Sequence, residues 1–392
     1  MSYLLKREFY DTLRRQAPVA AGAVCDQAPM ILHSAHSIFV DRKGCLYTCG
    51  RGHRLGHDRE SGCIEKPTPV PSMLDRRIIS VASGGEYCLA LSAEGEVYSW
   101  GDGEYGSLGH GDVDARAVPS RITSLSRIEQ IAAGYAYTSA AVDEKGNLYT
   151  WGIAFTLVAE DEPAGISGLG YRVSPGTECQ PTPKRVDALS QERVVGVALA
   201  GGLTLAVTDA GAVFSFGNGI SGMLGHGSDE SEVLPRRIEA LAETGRWFVA
   251  VAAGCGALAL TEEGQVYGWG WGGANGHGRE ECTPQLVAAL VEERVKLLFA
   301  GYVSSCAVRK TGELFTWAAL LIRFVAVATS ATVSIRHSPR RCGWKDWEAR
   351  RSGLRQWPWV PATRLLPMRM AWCGPLASAM PSASPTLRDA KM

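Results

Sequence analysis

The chain has no P-loop, no G-x-S-x-G elbow and no H-E-x-x-H pair, so nucleotide hydrolysis, serine hydrolysis and zinc proteolysis have no residues to stand on. It has no net charge either. Its 40 basic residues balance 40 acidic ones, which argues against a general nucleic-acid or membrane footprint. The 11 cysteines are odd in number and scattered, with no CxxC pair. Cys45 and Cys49 are the nearest neighbours, and that spacing alone makes neither a zinc nor a redox motif. Buried thiols in a reducing compartment, cytoplasmic or nuclear, are the expectation. The opening MSYLLKREFYDTLRRQ lacks an apolar h-region and so does not read as a secretory signal. Residues 1–30 read instead as an N-terminal segment able to form a short helix. The stretch 318–335 is apolar, yet it holds Arg323 and falls at the short end of the roughly 20 residues that a membrane span requires. No enzyme, no cofactor, no metal and no membrane is expected.

What the sequence has in excess is glycine, 45 in 392 residues, as expected for a chain that turns back on itself often. The segment GEVYSWG at Gly95–Gly101 recurs as GCLYTCG from Gly44, GNLYTWG from Gly146, GAVFSFG from Gly211, GQVYGWG from Gly264 and GELFTW from Gly312. The first glycines are 51, 51, 65, 53 and 48 residues apart, a period that signals propellers or solenoids. Each copy alternates aliphatic and aromatic side chains, the pattern of a strand with one face buried. Upstream lies a strand of small residues, as in VAVAAGCGALALT, joined to the copy by a short turn such as TEEGQ. Downstream comes a glycine-rich loop ending in Leu55-Gly56, Leu108-Gly109, Leu169-Gly170, Leu224-Gly225 or, in the odd one out, Asn275-Gly276. A proline then opens another strand, as at Pro119, Pro183 and Pro235. Four short strands in about fifty residues are the content of one propeller blade.

The order A-G-x-x-(H)-S-x-A, then G-x-V-Y-x-W-G, then x-L-G-x-G resembles the regulator of chromosome condensation repeat across residues 31–317. The resemblance implies an all-β propeller of four-stranded antiparallel blades. The family is seven-bladed, whereas this sequence holds about five full blades and part of a sixth. Some members exchange nucleotide on the small GTPase Ran, and others are binding modules of ubiquitin ligases and trafficking proteins. After Trp317 the repeat stops: Ala318 stands where glycine belongs, and 318–392 carries 12 basic against 3 acidic residues. A shifted reading frame or a retained intron would explain such a basic, aberrant or disordered tail, with a genuine unrelated tail as the alternative. On this reading the repeat region is shorter than the roughly 360 residues that seven such blades need.

The function expected is that of a protein-protein interaction module presenting loops to a partner, with a guanine-nucleotide exchange factor for a Ran-type small GTPase as the alternative. A small GTPase is one candidate partner; nucleic acid and small-molecule substrates are disfavoured. The third repeat interval holds an insertion between Trp151 and Leu169, and its Glu160, Asp161 and Glu162 would suit a basic partner. In the exchange factors the resemblance places an acidic residue just after the A-G of a small-residue strand. Here Glu86 alone answers; the other copies have Ala136, Gly202, Gly256 and Val303. His57, His110, His226 and His277 follow the loop glycine of different blades, too far apart for a shared metal shell, and read as local hydrogen-bonding groups.

Overall fold

Alternating side chains and tight glycine turns give each repeat three strands in a meander, and the proline-opened segment adds a fourth. The computed structural model describes residues 24–325 apart from 26–27, 33–35, 59–62, 155–167, 175–176, 302–303 and 319–320. They form six antiparallel sheets, each built from one contiguous stretch of chain with its strands in sequence order. The first sheet comprises β1 (Val24–Cys25), β2 (Ala28–Leu32), β3 (His36–Val40), β4 (Leu46–Arg51) and β5 (Cys63–Pro69). Blade two is β6 (Ile78–Ser83), β7 (Tyr87–Ser92), β8 (Val97–Gly101) and β9 (Arg116–Arg121). Blade three is β10 (Ile128–Ala133), β11 (Thr138–Asp143), β12 (Leu148–Ile153) and β13 (Cys179–Arg185). Blade four is β14 (Val194–Ala200), β15 (Leu203–Thr208), β16 (Val213–Gly217) and β17 (Glu232–Arg237). Blade five is β18 (Phe248–Ala253), β19 (Gly256–Thr261), β20 (Val266–Gly270) and β21 (Glu281–Leu286). Blade six is β22 (Val295–Ala300), β23 (Ser304–Arg309), β24 (Leu314–Ala318) and β25 (Leu321–Val325). Among the described residues the one α-helix, α1, is the four-residue turn Glu239–Ala242.

The all-β propeller is as the repeat implies, with three differences. The described residues hold six sheets, not the family's seven. The sixth is also more than an opening: β25, from beyond residue 317, pairs with β24 from Leu314↔Val325 to Ala318↔Leu321. It does so without a glycine-rich loop, so the loop motif that marks a fourth strand elsewhere was missing from the sequence. At the other end, Val24–Cys25 and Ala28–Leu32 are strands inside the segment considered for a helix, and residues 1–23 lie outside the described ones. Residues 326–392 lie outside them too.

The core sits between blades. One buried cluster joins Ile38, Val40 and Leu46 of blade one to Val81, Ala90 and Trp100 of blade two, and similar clusters join two to three, three to four, and four through six. Each inner blade is therefore covered on both faces. That corrects the expectation of one buried face: β8 and β20 are buried at every residue. The alternation records which neighbouring blade a side chain meets, not inside against outside.

Two repeated contacts hold blade to blade. The indole of Trp100, Trp151, Trp269 and Trp317 donates from Nε1, at 2.8 Å in each case, to a loop carbonyl of the preceding blade: Arg54, Ser107, Met223 and Ala274 respectively. The residue two places after that carbonyl is the glycine of the Leu-Gly or Asn-Gly pair. A Cβ on Gly109 would lie 2.9 Å from Trp151 Nε1, on a backbone with φ +80 that already disfavours any other residue. On the opposite face, Ile78, Ile128, Val194, Phe248 and Val295 each donate a backbone N–H to the turn glycine carbonyl of the blade before (Gly44, Gly95, Gly146, Gly211 and Gly264). The outer strands β5, β9, β13, β17 and β21 each carry proline, which removes a ladder donor from an edge that could otherwise recruit foreign strands.

Gly109→Ala should lower stability by about 2 kcal/mol or more, from left-handed strain and overpacking together. Trp269→Phe should cost about 1–3 kcal/mol, because it leaves the buried Met223 carbonyl without its donor, against about 3–5 for Trp269→Ala. Urea midpoints decide, and a phenylalanine variant as damaged as the alanine one would show that ring burial is not what matters. A chain ended after 325 should also keep a higher midpoint than one ended after 317; equal midpoints would mean that β25 adds nothing.

Candidate functional site

The tight turns between second and third strands, such as Ser92–Glu96 and Asp143–Asn147, all stand at one end of the blades. The first-to-second and third-to-fourth connections stand at the other, which is the loop face. It carries Val113, Tyr135 and Ile220, three of the six large hydrophobics that are exposed among the described residues.

Glu86 lies on this face, in the β6–β7 connection, and its carboxylate pairs with the Arg54 guanidinium from the β4–β5 loop of blade one. Arg54 Nη1 also donates to the Gly85 carbonyl at 3.4 Å, while the Arg54 carbonyl takes the Trp100 latch. The one acidic residue at the family's loop position is thus tied across a blade junction, with 36% of its side chain exposed. Glu160, Asp161 and Glu162 lie outside the described residues, but the strands their loop connects, β12 and β13, put its ends on the loop face.

Next to Glu86 stands a group that the sequence analysis did not single out. Gly85 is so close to Tyr135 that a Cβ there would lie 3.4 Å from the Tyr135 carbonyl oxygen and 3.5 Å from its ring. Tyr137 stacks on buried Tyr87 with ring centres 6.4 Å apart and meets the edge of Tyr105 at 5.4 Å. Glu104, with Glu178 and Asp102 further off, raises the Tyr105 phenol above its ordinary value. Burial, then Asp102 and Glu104, does the same for Tyr137. Tyr105 sits at φ 57, in the left-handed region that favours glycine. Ser221 occupies the same place in blade four, also at φ 57. A tyrosine where other residues would be cheaper was the available sequence signal, legible only once the two loops are laid side by side.

The repeat histidines are part of the blades. Ser99 Oγ donates to the Leu108 carbonyl at 2.7 Å and lies 2.9 Å from His110 Nε2, so the imidazole, with its proton on Nε2, donates to the hydroxyl. Ser215 and His226 repeat this geometry, as do Thr48 and His57. Blade three substitutes Tyr171, whose hydroxyl donates to the Thr150 carbonyl. In blade five Gly268 leaves no hydroxyl, and His277 Nε2 faces the Gln285 carbonyl at 3.2 Å instead. Among the described residues no group of three His, Cys, Asp or Glu side chains is arranged to hold a metal.

Two loops, Gly101-x-Gly103-x-x-Gly106 and Gly217-x-Gly219-x-x-Gly222, follow a strand with the glycine spacing of a dinucleotide fingerprint. Each leads into a three-residue 3-10 turn, so the helix N-terminus that such a fingerprint uses for phosphate is not there. A cavity between the inner strands of blades three to six is lined by residues such as Ala132, Ala198, Ala252 and Phe299, all apolar.

Burial, followed by the nearby Arg116, pulls the His110 imidazole below its ordinary value; burial and Arg236 do so for His226. A depressed folded-state value means that the unfolded chain takes up protons first as pH falls. Stability from these groups is full above the unfolded value of about 6.5 and is lost as pH drops through it towards the folded one. Urea midpoints at about pH 7.5 and about pH 5.5 should differ more in the wild type than in His110→Gln with His226→Gln, since glutamine keeps a donor for the serine without the titration. Equal differences would remove the histidines from the acid response.

Comparison with known proteins adds the following. Residues 43–91, 94–141 and 210–259 match the sequence model of the regulator of chromosome condensation (RCC1) repeat, and a second model of that repeat matches 78–107. The chain is 33% identical over 293 residues to the ultraviolet-B receptor UVR8 of Arabidopsis thaliana, covering 72% of this chain and 62% of the receptor. It is 38% identical over 291 residues to the human E3 ubiquitin-protein ligase HERC2, covering 71% of this chain and 6% of the ligase. This chain thus spans less than two thirds of either relative. Of solved structures, human WBSCR16 superposes with a TM-score of 0.61 at 23% identity, covering 76% of this chain and 75% of that one. Yeast Prp20p, from a study of its binding to Gsp1p and histones, superposes with a TM-score of 0.60 at 19% identity, covering 74% and 68%. At those identities the likeness is one of fold.

Proposed function

The chain belongs to the RCC1-repeat family, and from that premise we propose that it is a non-enzymatic interaction module holding a partner protein against the loops of one propeller face. The observation that carries this reading is the exposure of Val113, Tyr135 and Ile220 on that face, 55%, 61% and 48% respectively. Exposed apolar side chains on the loops of a rigid frame are suited to binding. The opposite end carries the tight glycine turns and the short connections between blades, four of which hold a 3-10 or α-helical turn. HERC2 contains a similar stretch, so a place in a larger ubiquitin-ligase-like protein fits the same reading. Glu160, Asp161 and Glu162 would extend the face with negative charge towards a basic partner. Among the described residues no helix is long and apolar enough to cross a membrane, and the cytoplasm or nucleus is where we place the protein.

The test compares captured proteins. Full-length chain carrying Val113→Glu, Tyr135→Glu and Ile220→Glu should lose partners that the wild type retains, while Leu74→Glu with Leu234→Glu, away from the loop face, should keep them. Equal loss from both variants would overturn the assignment to this face.

Exchange on a Ran-type GTPase is the second reading. Its support is the Prp20p-like fold and Glu86 at the family's acidic position. Against it, the Glu86 carboxylate is engaged by Arg54 rather than standing clear for a GTPase. Purified protein should not speed nucleotide release from Ran above background. Acceleration that disappears in Glu86→Ala would reverse this ranking.

A further inference from the structure

The outer edge of a blade is where a foreign strand could add, and the six blades do not guard it alike. In blades one to five the backbone N–H of Val70, Ile122, Val186, Ile238 or Val287 donates to the third strand of its own blade. Successive residues of an extended strand turn their backbone groups to opposite sides, so the residue three places earlier faces away from the blade. That residue is proline in all five, at Pro67, Pro119, Pro183, Pro235 and Pro284. Each of these edges therefore lacks an outward N–H that an added strand would need.

Blade six differs. Its ladder starts with the Arg309 N–H donating to the Glu313 carbonyl at 3.0 Å, and bonded pairs then alternate at Ala307↔Phe315 and Ser305↔Trp317. Leu314, Thr316 and Ala318 thus turn their backbone groups to β25, where they meet Val325, Arg323 and Leu321. Ile322 and Phe324 are left to turn theirs outward, and no strand among the described residues pairs with that side. Thr316 is the counterpart of Ser99 and Thr150, whose partners Ser120 and Lys184 each follow the blade's proline. Arg323 is their counterpart, so Ile322 stands where the other five blades have proline. From 318 to 335 the sequence holds neither proline nor glycine, and Arg323 is its one charge.

We propose that the outer edge of β25 accepts an extended segment of a protein partner, added antiparallel as a fifth strand, with a carboxylate opposite Arg323. This surface is the rim of blade six and goes beyond the loop-face reading. Main-chain bonds to Ile322 and Phe324 supply affinity, and the residue opposite Arg323 supplies selectivity. Arg323 turns its own backbone groups to β24, so across the outer edge it belongs to a non-hydrogen-bonded pair, the kind in which facing residues stand closest. An acidic residue at that place is attracted. A second copy of β25 fits less well: pairing its Phe324 with Ile322 sets arginine against arginine at the same point.

The experiment titrates the full-length chain with labelled peptides of about seven residues, alternating valine and threonine, with Glu, Gln or Lys at the centre. Anisotropy is the readout. The Glu peptide should bind about two- to fivefold more tightly than the Gln one, the scale of one cross-strand charge pair, and the Lys peptide should bind least. Arg323→Glu should invert the order of the Glu and Lys peptides. Ile322→Pro should weaken the Glu peptide about fivefold or more by removing an outward donor. Its urea midpoint should hold, because that N–H makes no bond within the blade. Unchanged peptide binding in Ile322→Pro, or all three peptides bound alike, would overturn the site. If Ile322→Pro also lowers the midpoint, inversion by Arg323→Glu supports the site and its absence overturns it. A dimer in sedimentation that Ile322→Pro dissolves, with no peptide bound, would replace the partner by a second copy. The loop-face variant Val113→Glu with Tyr135→Glu and Ile220→Glu should bind the peptides as the wild type does; loss there would move the peptide to the loop face and remove it from this edge.

Discussion

Everything in this propeller depends on an aromatic ring from one blade closing over a Leu-Gly pair of the blade before it. The ring is buried, its indole nitrogen reaches a carbonyl in the same loop, and the glycine leaves no room for a side chain between them. The contact fixes three things at once: the stagger between blades, the path of the loop, and the burial of a side chain that would otherwise face solvent. At two junctions a serine hydroxyl, Ser139 or Ser305, donates to the same carbonyl beside the indole, and where tryptophan gives way to Phe216 the equivalent Thr204 hydroxyl donates to the Gly168 carbonyl at 2.6 Å without it. The loop carbonyl is satisfied in either case, as a buried carbonyl must be.

Because that contact is made by three residues within each loop, such as 107–109 of the β8–β9 connection, the rest of the loop is free to vary. The β8–β9 connection carries tyrosine and carboxylates, the β12–β13 connection is long, and the β20–β21 connection closes on Asn275, whose amide donates to the Gly270 and Arg279 carbonyls. A rigid frame with variable loops at one end is a general arrangement for recognition. The repeat histidines belong to the frame. Each sits on its own strand hydroxyl or carbonyl and is spent on holding the start of the loop return.

The ends of the repeat series lack parts of this device. Blade one has Cys49 where the others have an aromatic ring, and blade six passes from β24 to β25 without a Leu-Gly loop. Neither terminal blade therefore offers the half-contact by which its inner neighbours are joined. Within the series an aromatic ring closes every junction; at its two ends the same chemistry is not available.

By itself the sequence determined the strands, their order and the turns. Period-two alternation, a turn glycine at fixed offset and a proline on the outer strand of the first five blades are local signals, and local backbone chemistry is what shapes a blade. The repeat period also identified Leu-Gly and the aromatic position as equivalent elements, though not as partners. Tertiary structure alone decided that Trp151 meets the loop of blade two, that both faces of β8 are covered, and that Arg54 is the residue that takes Glu86. It also gathered Tyr105, Tyr135 and Tyr137, which come from connections on two blades, and it supplied β25 from a stretch with no repeat motif. The reason is physical. Alternation records that a side chain is buried, not which of two neighbouring sheets buries it, and contacts some fifty residues apart in the chain leave no local periodicity to read. Pairing of a last strand, too, rests on backbone hydrogen bonds that almost any residue can make.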